Sequence, residues 1–474
     1  MHTSQSIARN SIVYTGALVV QRIASTIYFW YYSNNLPGGA GDLGRLQFVL
    51  SYATLFFIIG DLGLYLVFVR EASRDPKQAS RYLETSLAIK IPLFVIAGLI
   101  TLAGAWNFHR EDVYLIALSY AWVALDSIAL FLYGALRAFQ KLIYESAGVI
   151  IAQSITVVIG VVSIKLSGDI RHLLYALIFA TVVNIAFVLF ILYKKFHIRL
   201  SIHYNPKIGK LLLKSIPAFA AVAIVVKILN TIDVVLLRQL SSDYRAVGFY
   251  SIPLKIVTAL SLTIPTAFMG AIYPSLSHLH GKSDEGIKTV FRYAVEYLLI
   301  ISVPISVGFF ALGDELINAL FRDEYTSAII PSKIILLSLP FIFLSFPTGN
   351  LLNATNRQKY TALSRVFGAI TLIGLNVLFI PRFALMGAAY AFLATYIVIL
   401  VFDIYFARAY AAPIFSIFFR QTLKVVVSSG IMYGSILLLS SYAPWYFLII
   451  LGCVVYFVAL FLLHGINVKF LRHL

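Results

Sequence analysis

The sequence predicts an all-α integral membrane protein with about fourteen transmembrane helices. Of its 474 residues, 60% are apolar, and short polar stretches interrupt the apolar ones. The apolar stretches are roughly 20–25 residues long, which suits helices that cross a hydrocarbon core about 30 Å thick. Every second polar stretch is rich in Lys and Arg, as the positive-inside rule produces in a chain that crosses a membrane many times.

Fourteen apolar segments, each long enough to span a bilayer, follow one another along the chain. The first six are 11–33, 46–69, 83–105, 113–136, 145–164 and 173–193. A basic connection, 194–214, leads to six more: 215–238, 247–274, 289–312, 329–352, 360–380 and 387–407. The last two are 421–440 and 446–466.

The charged residues between the spans predict which loops face the cytoplasm. The N-terminus and the even-numbered loops carry 23 basic residues, whereas the odd-numbered loops carry 8. The basic side is therefore predicted to be cytoplasmic, and both termini lie on it. The first set comprises Arg9, Arg70, Arg74, Lys77, Arg81, Arg137, Lys141, Lys194, Lys195, Arg199, Lys207, Lys210, Lys214, Lys282, Lys288, Arg292, Arg357, Lys359, Arg408, Arg420, Lys424, Lys469 and Arg472.

Composition and motifs exclude several other classes of protein. Topology accounts for the net charge of +17, so nucleic acid is not an expected partner. No DxD, HExxH or Gly-rich phosphate loop occurs, which argues against an enzyme, a cofactor site and direct use of ATP. The single cysteine, Cys453, lies in the last predicted span, where a core position is expected and no metal or disulfide site can form.

Three pairs of similar segments indicate an internal repeat. Gly134–Tyr144 resembles Asn350–Tyr360, since each begins at a small residue or amide, contains Gln-Lys and ends in Tyr. Asp42-Leu-Gly44 opens span two as Ala246-Val-Gly248 opens span eight, and Arg81-Tyr82 matches Arg292-Tyr293. The offsets are roughly 204–218 residues, which predicts two parallel halves related by an axis along the membrane normal.

The chain resembles the oligosaccharide flippases of the multidrug/oligosaccharidyl-lipid/polysaccharide exporter superfamily. The resemblance rests on the order and spacing of several short segments: Ala8–Ser11, Asp61-Leu-Gly63, Val69-Arg70-Glu71, Ile232-Asp233, Val247–Tyr250, Tyr273–Ser277 and Asn350–Lys359. It implies two pseudo-symmetric six-helix lobes in a V, at residues 1–200 and 201–410, with two additional transmembrane helices in 411–474. It also implies alternating-access transport of polyprenyl-pyrophosphate-linked oligosaccharide across the cell membrane.

Such a substrate needs cations at mid-depth in the membrane, because its phosphates are negative and intramembrane charges are costly enough to be functional. Arg22 and Lys227 lie near the middles of spans one and seven, 205 residues apart, and could clamp a diphosphate between them. Alternatively, Arg22 could form a buried ion pair with Asp61 that only fixes helix packing.

The remaining intramembrane charges have more than one reading. Asp233 and Lys255 lie at similar depths and could form a local salt bridge, or a gate or cation site. Lys90, two residues before Pro92, could be structural at a kink or could face the cavity. Asp126 and Glu296 are candidates for carrying a coupling ion, since desolvation favours a protonated carboxyl. Lys333, Arg365 and Asp403 are expected to reach the membrane interface by snorkelling.

The sequence predicts a monomeric secondary transporter of the cytoplasmic membrane, and the resemblance implies that it flips lipid-linked oligosaccharide for cell-surface polysaccharide synthesis. Membrane lipids and polysaccharide polymerase or other assembly proteins are its candidate partners. The alternative is a cation-coupled multidrug antiporter of the same superfamily, which would need carboxylates rather than cations lining its cavity. The lipid II flippase branch is closer in substrate, but its arginine-rich first span is not found in this sequence.

Overall fold

The computed structural model describes residues 2–75, 78–198, 201–411 and 415–465, and in these ranges the chain is helical with no β-strand. The first helices are α1 (His2–Asn35), α2 (Gly39–Phe56), α3 (Ile58–Asp61), α4 (Leu64–Arg74), α5 (Ala79–Gly104), α6 (Arg110–Ala138), α7 (Leu142–Leu166), α8 (Ile170–Phe196) and α9 (Pro206–Ser241). They continue as α10 (Tyr244–Leu279), α11 (Asp284–Leu320), a 3₁₀ turn (Asp323–Ala328), α12 (Ile329–Leu336), α13 (Leu339–Ala354), α14 (Gln358–Phe383), α15 (Leu385–Phe406), α16 (Arg408–Ala411), α17 (Phe415–Leu439) and α18 (Trp445–Leu462). The loop cations Lys77, Arg199, Lys469 and Arg472 lie outside the described residues.

Each predicted span coincides with one helix or with two or three consecutive helices, which confirms the all-α membrane fold. Thirteen of the helical segments in the described ranges are long and apolar enough to cross a membrane. The segment 11–33 is part of the 34-residue helix α1 but is not among the thirteen. Gln21 and Arg22 near the centre of α1 lower its hydropathy, and Arg22 is the residue on which the predicted role of this span depends.

The prediction of an unbroken second span over 46–69 is wrong. After α2 the chain forms the one-turn helix α3 and then turns at Leu62 and Gly63, whose φ angles are 43° and 68°. These left-handed conformations end a helix, and glycine adopts them without steric cost. A Cβ on Gly63 would also lie 2.9 Å from the backbone carbonyl carbon of Phe219, so the backbone of α9 packs directly against this turn.

Span ten is also interrupted, between α12 and α13. Pro340 lies in the first turn of α13, where its missing N–H has no helical partner to lose. The chain turns at Leu337 and Ser338, and the hydroxyl of Ser338 donates to the carbonyl of Ile335. Pro340 therefore begins a new helix instead of kinking a continuous one.

Packing divides the chain into two units, Met1–Gly248 and Phe249–Leu474. In the first unit, α1 packs along α7, α8 packs against α6 and α7, and α9 packs against α2, α4 and α5. A buried cluster of α4, α5, α6, α8 and α9 includes Phe68, Leu83, Phe131, Leu192 and Leu212. The division falls after the start of α10, while the sequence repeats place a boundary at 200–201, which stays a prediction.

In the second unit, α11 is the central helix. It contacts α12, α13, α16, α17 and α18, and α14 packs along α15. The hydroxyl of Tyr456 on α18 donates a 2.8 Å hydrogen bond to the carbonyl of Ile300 on α11 and is buried. The predicted last two spans are therefore the antiparallel helices α17 and α18, which rest on α11.

Candidate functional site

An ion pair lies where the second span is interrupted. The Nζ of Lys90 on α5 is 2.5 Å from Oδ1 of Asp61, the last residue of α3. The side chain of Lys90 is fully buried, whereas that of Asp61 is 24% exposed. Lys90 is therefore satisfied by a carboxylate that itself remains accessible. Since Asp61 pairs with Lys90, the predicted pairing of Asp61 with Arg22 is not what the structure describes for this carboxylate.

Three aromatic rings surround the rest of the Lys90 ammonium group. Its Nζ is 3.9 Å from the ring centre of Phe131, 5.2 Å from that of Phe94 and 5.9 Å from that of Phe57. Aromatic faces attract a cation most strongly where water is excluded. These rings therefore complete the surroundings of the buried ammonium group, whose carboxylate partner is Asp61.

Lys227 and Asp126 extend this pair into a cluster. Lys227 on α9 interacts electrostatically with both Lys90 and Asp126 of α6. Asp126 is exposed and Lys227 is half-buried. Asp61, Lys90, Asp126 and Lys227, here called the four-charge cluster, thus gather two cations and two anions from four helices of the first unit. The sequence had singled out all four residues.

Arg22 lies at the middle of α1, which packs against α7 and α2. Its side chain is half-buried, and its carbonyl accepts a 2.9 Å hydrogen bond from the hydroxyl of Thr26. These observations place a partly accessible cation within the span, and the clamp between Arg22 and Lys227 remains a prediction.

Asp233 and Lys255 lie in different units. Asp233 is 2% exposed, and its Oδ1 accepts a hydrogen bond from the backbone N–H of Val234. Lys255 on α10 is half-buried. Both are intramembrane charges, as predicted, and the proposed salt bridge or gate between them remains a prediction.

Glu296 belongs to a separate ionic group in the second unit. Its Oε1 is 3.7 Å from Nε of Arg292, one turn earlier on α11, and it interacts electrostatically with Lys424 of α17. The side chain of Glu296 is 13% exposed. Glu296 thus has cationic neighbours on α11 and α17, and it is mostly buried, whereas Asp126 of the four-charge cluster is exposed.

The interpretation of Asp403 as an interfacial residue is wrong, because its side chain is completely buried. Its Oδ2 is 3.1 Å from Nη1 of Arg365, and it also accepts hydrogen bonds from the hydroxyls of Ser364 and Thr348. Asp403 thus joins α13, α14 and α15. Arg365 is only partly exposed, while Lys333 forms a 2.7 Å ion pair with Asp314 in more open surroundings.

Arg137 and Glu145 form a further buried ionic network, although the sequence pattern indicates Arg137 only as a basic loop residue. Arg137 donates to both carboxylate oxygens of Glu145, at 2.8 Å and 2.5 Å, and also donates to the hydroxyl of Tyr14. The side chain of Glu145 is 4% exposed. This bidentate pair ties α6 to α7 and α1, and its signal in the sequence was a carboxylate eight residues after an arginine across a short turn.

No group of three or more potential metal ligands occurs in the described part of the chain. Cys453 is exposed on α18, which corrects its expected core position.

Comparisons with known proteins agree with this architecture. A family model described as "Polysaccharide biosynthesis protein" matches residues 7–280, and one described as "MatE" matches residues 217–378. An uncharacterised membrane protein of Methanocaldococcus jannaschii is 30% identical over 172 residues, covering 35% of this chain and 32% of the relative. The "Probable low-salt glycan biosynthesis flippase Agl15" of Haloferax volcanii is 24% identical over 188 residues, covering 38% of each. The matches therefore span about a third of the length of these relatives.

The structural similarity is more extensive. A solved structure described as "Lipid II flippase MurJ, inward closed conformation" has a TM-score of 0.75 and covers 94% of this chain and 98% of its own. At 15% sequence identity, this similarity shows a common fold and leaves the cargo to be argued from the residues.

Proposed function

We propose, from the premise that this chain belongs to the polysaccharide biosynthesis protein family, that it is a flippase for polyprenyl-pyrophosphate-linked oligosaccharide. The cargo would move from the cytoplasmic to the outer leaflet by alternating access and supply cell-surface polysaccharide synthesis. The glycan-flippase description of the Haloferax relative supports this class of cargo. The protein acts without an enzymatic step or a cofactor in this proposal.

The observation that carries the proposal is that Lys227, in the four-charge cluster, has no carboxylate at ion-pair distance among the described side chains. The residue nevertheless lies in a membrane-spanning helix. An intramembrane cation without a paired carboxylate is costly unless an anionic ligand completes it during function. A diphosphate supplies that anion, with Arg22 of α1 as a second contact.

Lys90 gives the same site a further cation, whose present partner, Asp61, could be replaced by a phosphate. A pyrophosphate that reached Lys90 would replace Asp61 as its partner, and the 24% exposed carboxylate of Asp61 could then turn to water. Charge-assisted contacts of this kind are stronger than neutral hydrogen bonds. Binding energy would thus be available at mid-depth, where the polar head group has lost its hydration.

Coupling is assigned to a carboxylate beside this site. Asp126 is exposed and interacts electrostatically with Lys227. Because an anionic cargo bound at Lys227 would change the field at Asp126, the binding of a proton or cation to Asp126 would respond to the cargo. Glu296 is the second candidate. In this proposal both termini are cytoplasmic and the protein works as a monomer, with a polymerase or other assembly proteins as partners.

The alternative, a cation-coupled multidrug antiporter, has one specific observation in its favour: the MatE model matches residues 217–378. A cationic drug would bind carboxylates such as Asp126 and Asp61. However, Lys90 neutralises Asp61, and Lys227 lies beside Asp126, which makes the cluster a poor cation site.

The test is translocation of a fluorescent polyprenyl-pyrophosphate oligosaccharide in proteoliposomes. We expect Lys227→Ala and Arg22→Ala each to reduce the initial rate at least tenfold. Lys227→Arg should retain more activity, and Lys210→Ala, at an exposed position of the same helix, is the matched control. Wild-type rates in both Ala variants would refute the clamp. Export of an organic cation by a wild type that moves no lipid would favour the antiporter.

A further inference from the structure

A cavity of about 560 Å³, here called the charged cavity, lies within the first unit where α2, α6 and α8 begin. Its volume is in the range of small-ligand sites, most of which are lined mainly by apolar side chains. Here half of the twelve lining residues are charged: Asp42, Arg45, Arg110, Glu111, Asp169 and Arg171. The charged cavity therefore suits a hydrophilic ligand of modest size.

The walls of the charged cavity are fixed by local contacts. Gly168 has a φ of 66°, and a Cβ there would lie 2.4 Å from Cγ of Pro37, so these two loops touch directly. Oδ2 of Asp42 accepts a 2.8 Å hydrogen bond from the backbone N–H of Gly38. The cavity is therefore formed before a ligand arrives, which lowers the entropic cost of binding.

The charged side chains of the cavity form pairs with each other. Nε of Arg171 is 2.6 Å from Oδ2 of Asp169, and Nη2 of Arg45 is 3.1 Å from Oε2 of Glu111. The side chains of Glu111 and Arg171 are 82% and 57% exposed, so donor and acceptor atoms of the pairs remain accessible. Each pair thus presents a planar donor beside a planar acceptor, which suits ligand hydroxyls that both donate and accept.

Arg110 and Tyr114 are the lining residues most open to a new contact. Arg110 is exposed, and among the described side chains no carboxylate lies within ion-pair distance of its guanidinium group. Tyr114 is 44% exposed, and its hydroxyl is 2.5 Å from that of Tyr175, which orients the ring. An exposed aromatic face beside planar polar groups suits a sugar, since a sugar ring has an apolar face as well as hydroxyls.

Two other ligands fit the charged cavity less well. Its three guanidinium groups are balanced by three carboxylates, which would repel a phosphate or diphosphate. Protein interfaces have broad cores that are depleted of charged residues, whereas this site is concave and charged. The shape and the chemistry of the cavity therefore favour a hydroxyl-rich oligosaccharide.

We infer that the charged cavity binds the glycan of the exported lipid-linked oligosaccharide on the outer face of the membrane. The inference rests on the proposed function and its orientation, in which the starts of α2, α6 and α8 are extracytoplasmic. There the polyprenyl tail stays in the outer leaflet, and the glycan attached to it reaches the cavity at the helix ends. The ligand group differs from that of the four-charge cluster, which binds pyrophosphate in the proposed function.

Binding of a tail-free glycan tests the cavity without transport. The probe is the oligosaccharide that mild acid releases from the lipid-linked pool of the source cells, with a fluorophore at its reducing end. Fluorescence polarisation with the full chain in detergent should show saturable binding, which Arg110→Ala and Tyr114→Ala each weaken at least fivefold. Arg382→Ala, at an exposed position on the predicted outer side, is the matched control and should bind as the wild type does. Absence of saturable binding by folded wild type, or wild-type affinity in both cavity variants, would overturn the inference.

Protection of an introduced cysteine locates the bound glycan. Ser167 lines the cavity and is exposed, so Ser167→Cys in a Cys453→Ser background should react with a membrane-impermeant maleimide outside right-side-out vesicles. The same oligosaccharide without its fluorophore should slow this labelling at least threefold. Ser441→Cys, exposed between α17 and α18, is the matched control and should label without protection. Labelling of Ser167→Cys only after the vesicles are permeabilised would place the cavity on the cytoplasmic side and overturn the inference.

The outcomes separate this inference from the proposed function. Lys227→Ala should reduce translocation but keep its affinity for the free glycan, because the probe has no pyrophosphate. Translocation by a wild type that shows neither binding nor protection would overturn the inference and leave the flippase intact. Binding and protection in a wild type that moves no lipid-linked oligosaccharide would support the glycan site and refute the flippase. Capture of a protein by a cross-linker on Ser167→Cys, without glycan binding, would assign the cavity to a protein partner instead.

Discussion

The ammonium group of Lys90 and the carboxylate of Asp61 are 2.5 Å apart, and only the carboxylate is accessible. Removal of Asp61 should therefore lower the free energy of unfolding more than removal of Lys90. Asp61→Asn leaves a fully buried ammonium with aromatic faces alone, for which we expect about 3–5 kcal/mol of destabilisation. Lys90→Met leaves a carboxylate that can turn to water, and should cost less.

The measurement is a double-mutant cycle on the free energy of unfolding in mixed micelles titrated with SDS. The variant carrying both substitutions should be more stable than Asp61→Asn alone, because no uncompensated charge remains. Equal losses for the two single variants, or additivity in the double variant, would contradict this view of the pair.

The buried Asp403 should be structural. Asp403→Asn keeps its size and can still accept from Ser364, but it leaves Arg365 without its counter-charge. We expect a loss of several kcal/mol in unfolding free energy, and partial recovery on adding Arg365→Met. Transport by molecules that remain folded should be close to the wild-type rate. A transport defect without a stability defect would instead place Asp403 in the transport mechanism.

Neutralising the two coupling candidates should separate them. Asp126→Asn should remove the dependence of flipping on a pH or sodium gradient without reducing stability, because the side chain is exposed. Glu296→Gln should retain that dependence, since Glu296 lies against Arg292. Initial rates in proteoliposomes with and without each gradient provide the comparison. Loss of gradient dependence in Glu296→Gln alone would reverse the assignment.

Close packing at Gly148 predicts a destabilising alanine. A Cβ there would overlap the hydroxyl of Tyr133, which donates a 2.5 Å hydrogen bond to Asn184. We expect Gly148→Ala to cost about 1–3 kcal/mol by overpacking, and Tyr133→Phe to relieve part of it. Gly374→Ala on α14, with open space around the added carbon, should be neutral or slightly stabilising. A melting-temperature series of the four proteins checks this, and similar losses for both alanines would contradict it.

Asp169 caps α8 at its N-terminus and predicts a small pH effect. Its Oδ1 accepts a 2.8 Å hydrogen bond from the backbone N–H of Arg171. The hydrogen bond from the Arg171 side chain lowers the pKa of Asp169, so its stabilising contribution is present above the unfolded pKa of about 3.9 and is lost as the pH falls through the lower folded value. Asp169→Ala should cost about 1 kcal/mol and Asp169→Asn less. Identical unfolding curves at neutral pH for wild type and Asp169→Ala would contradict this role.

The sequence was informative where a single physical signal determined the outcome. Hydropathy located the helices, because each must satisfy its backbone within the membrane. The rarity of intramembrane charge singled out Lys90, Lys227, Asp61 and Asp126, which the structure brings together. Asp403 was misplaced because its distance from the end of a span does not reveal whether that face packs against Thr348 and Ser364.

Pairing between charges could not be predicted in the same way. Arg22 and Lys90 were both available to Asp61, and the choice depends on how α5 packs against α3, which hydropathy does not encode. The turn at Leu62 was missed because leucine rarely adopts a positive φ. Gly63 beside it was the one local signal for that turn.

The left-handed turn at Leu62 and Gly63 divides the second span into two helical parts joined by a break in the backbone hydrogen bonding. A continuous helix would act as a lever, so any tilt at the α2 end would appear undiminished at the α4 end. Here the backbone at Gly63 packs against the backbone of Phe219 on α9. The two parts of the span can therefore differ in direction at this turn, with α4 packed in its apolar cluster and Asp61 one residue before the turn.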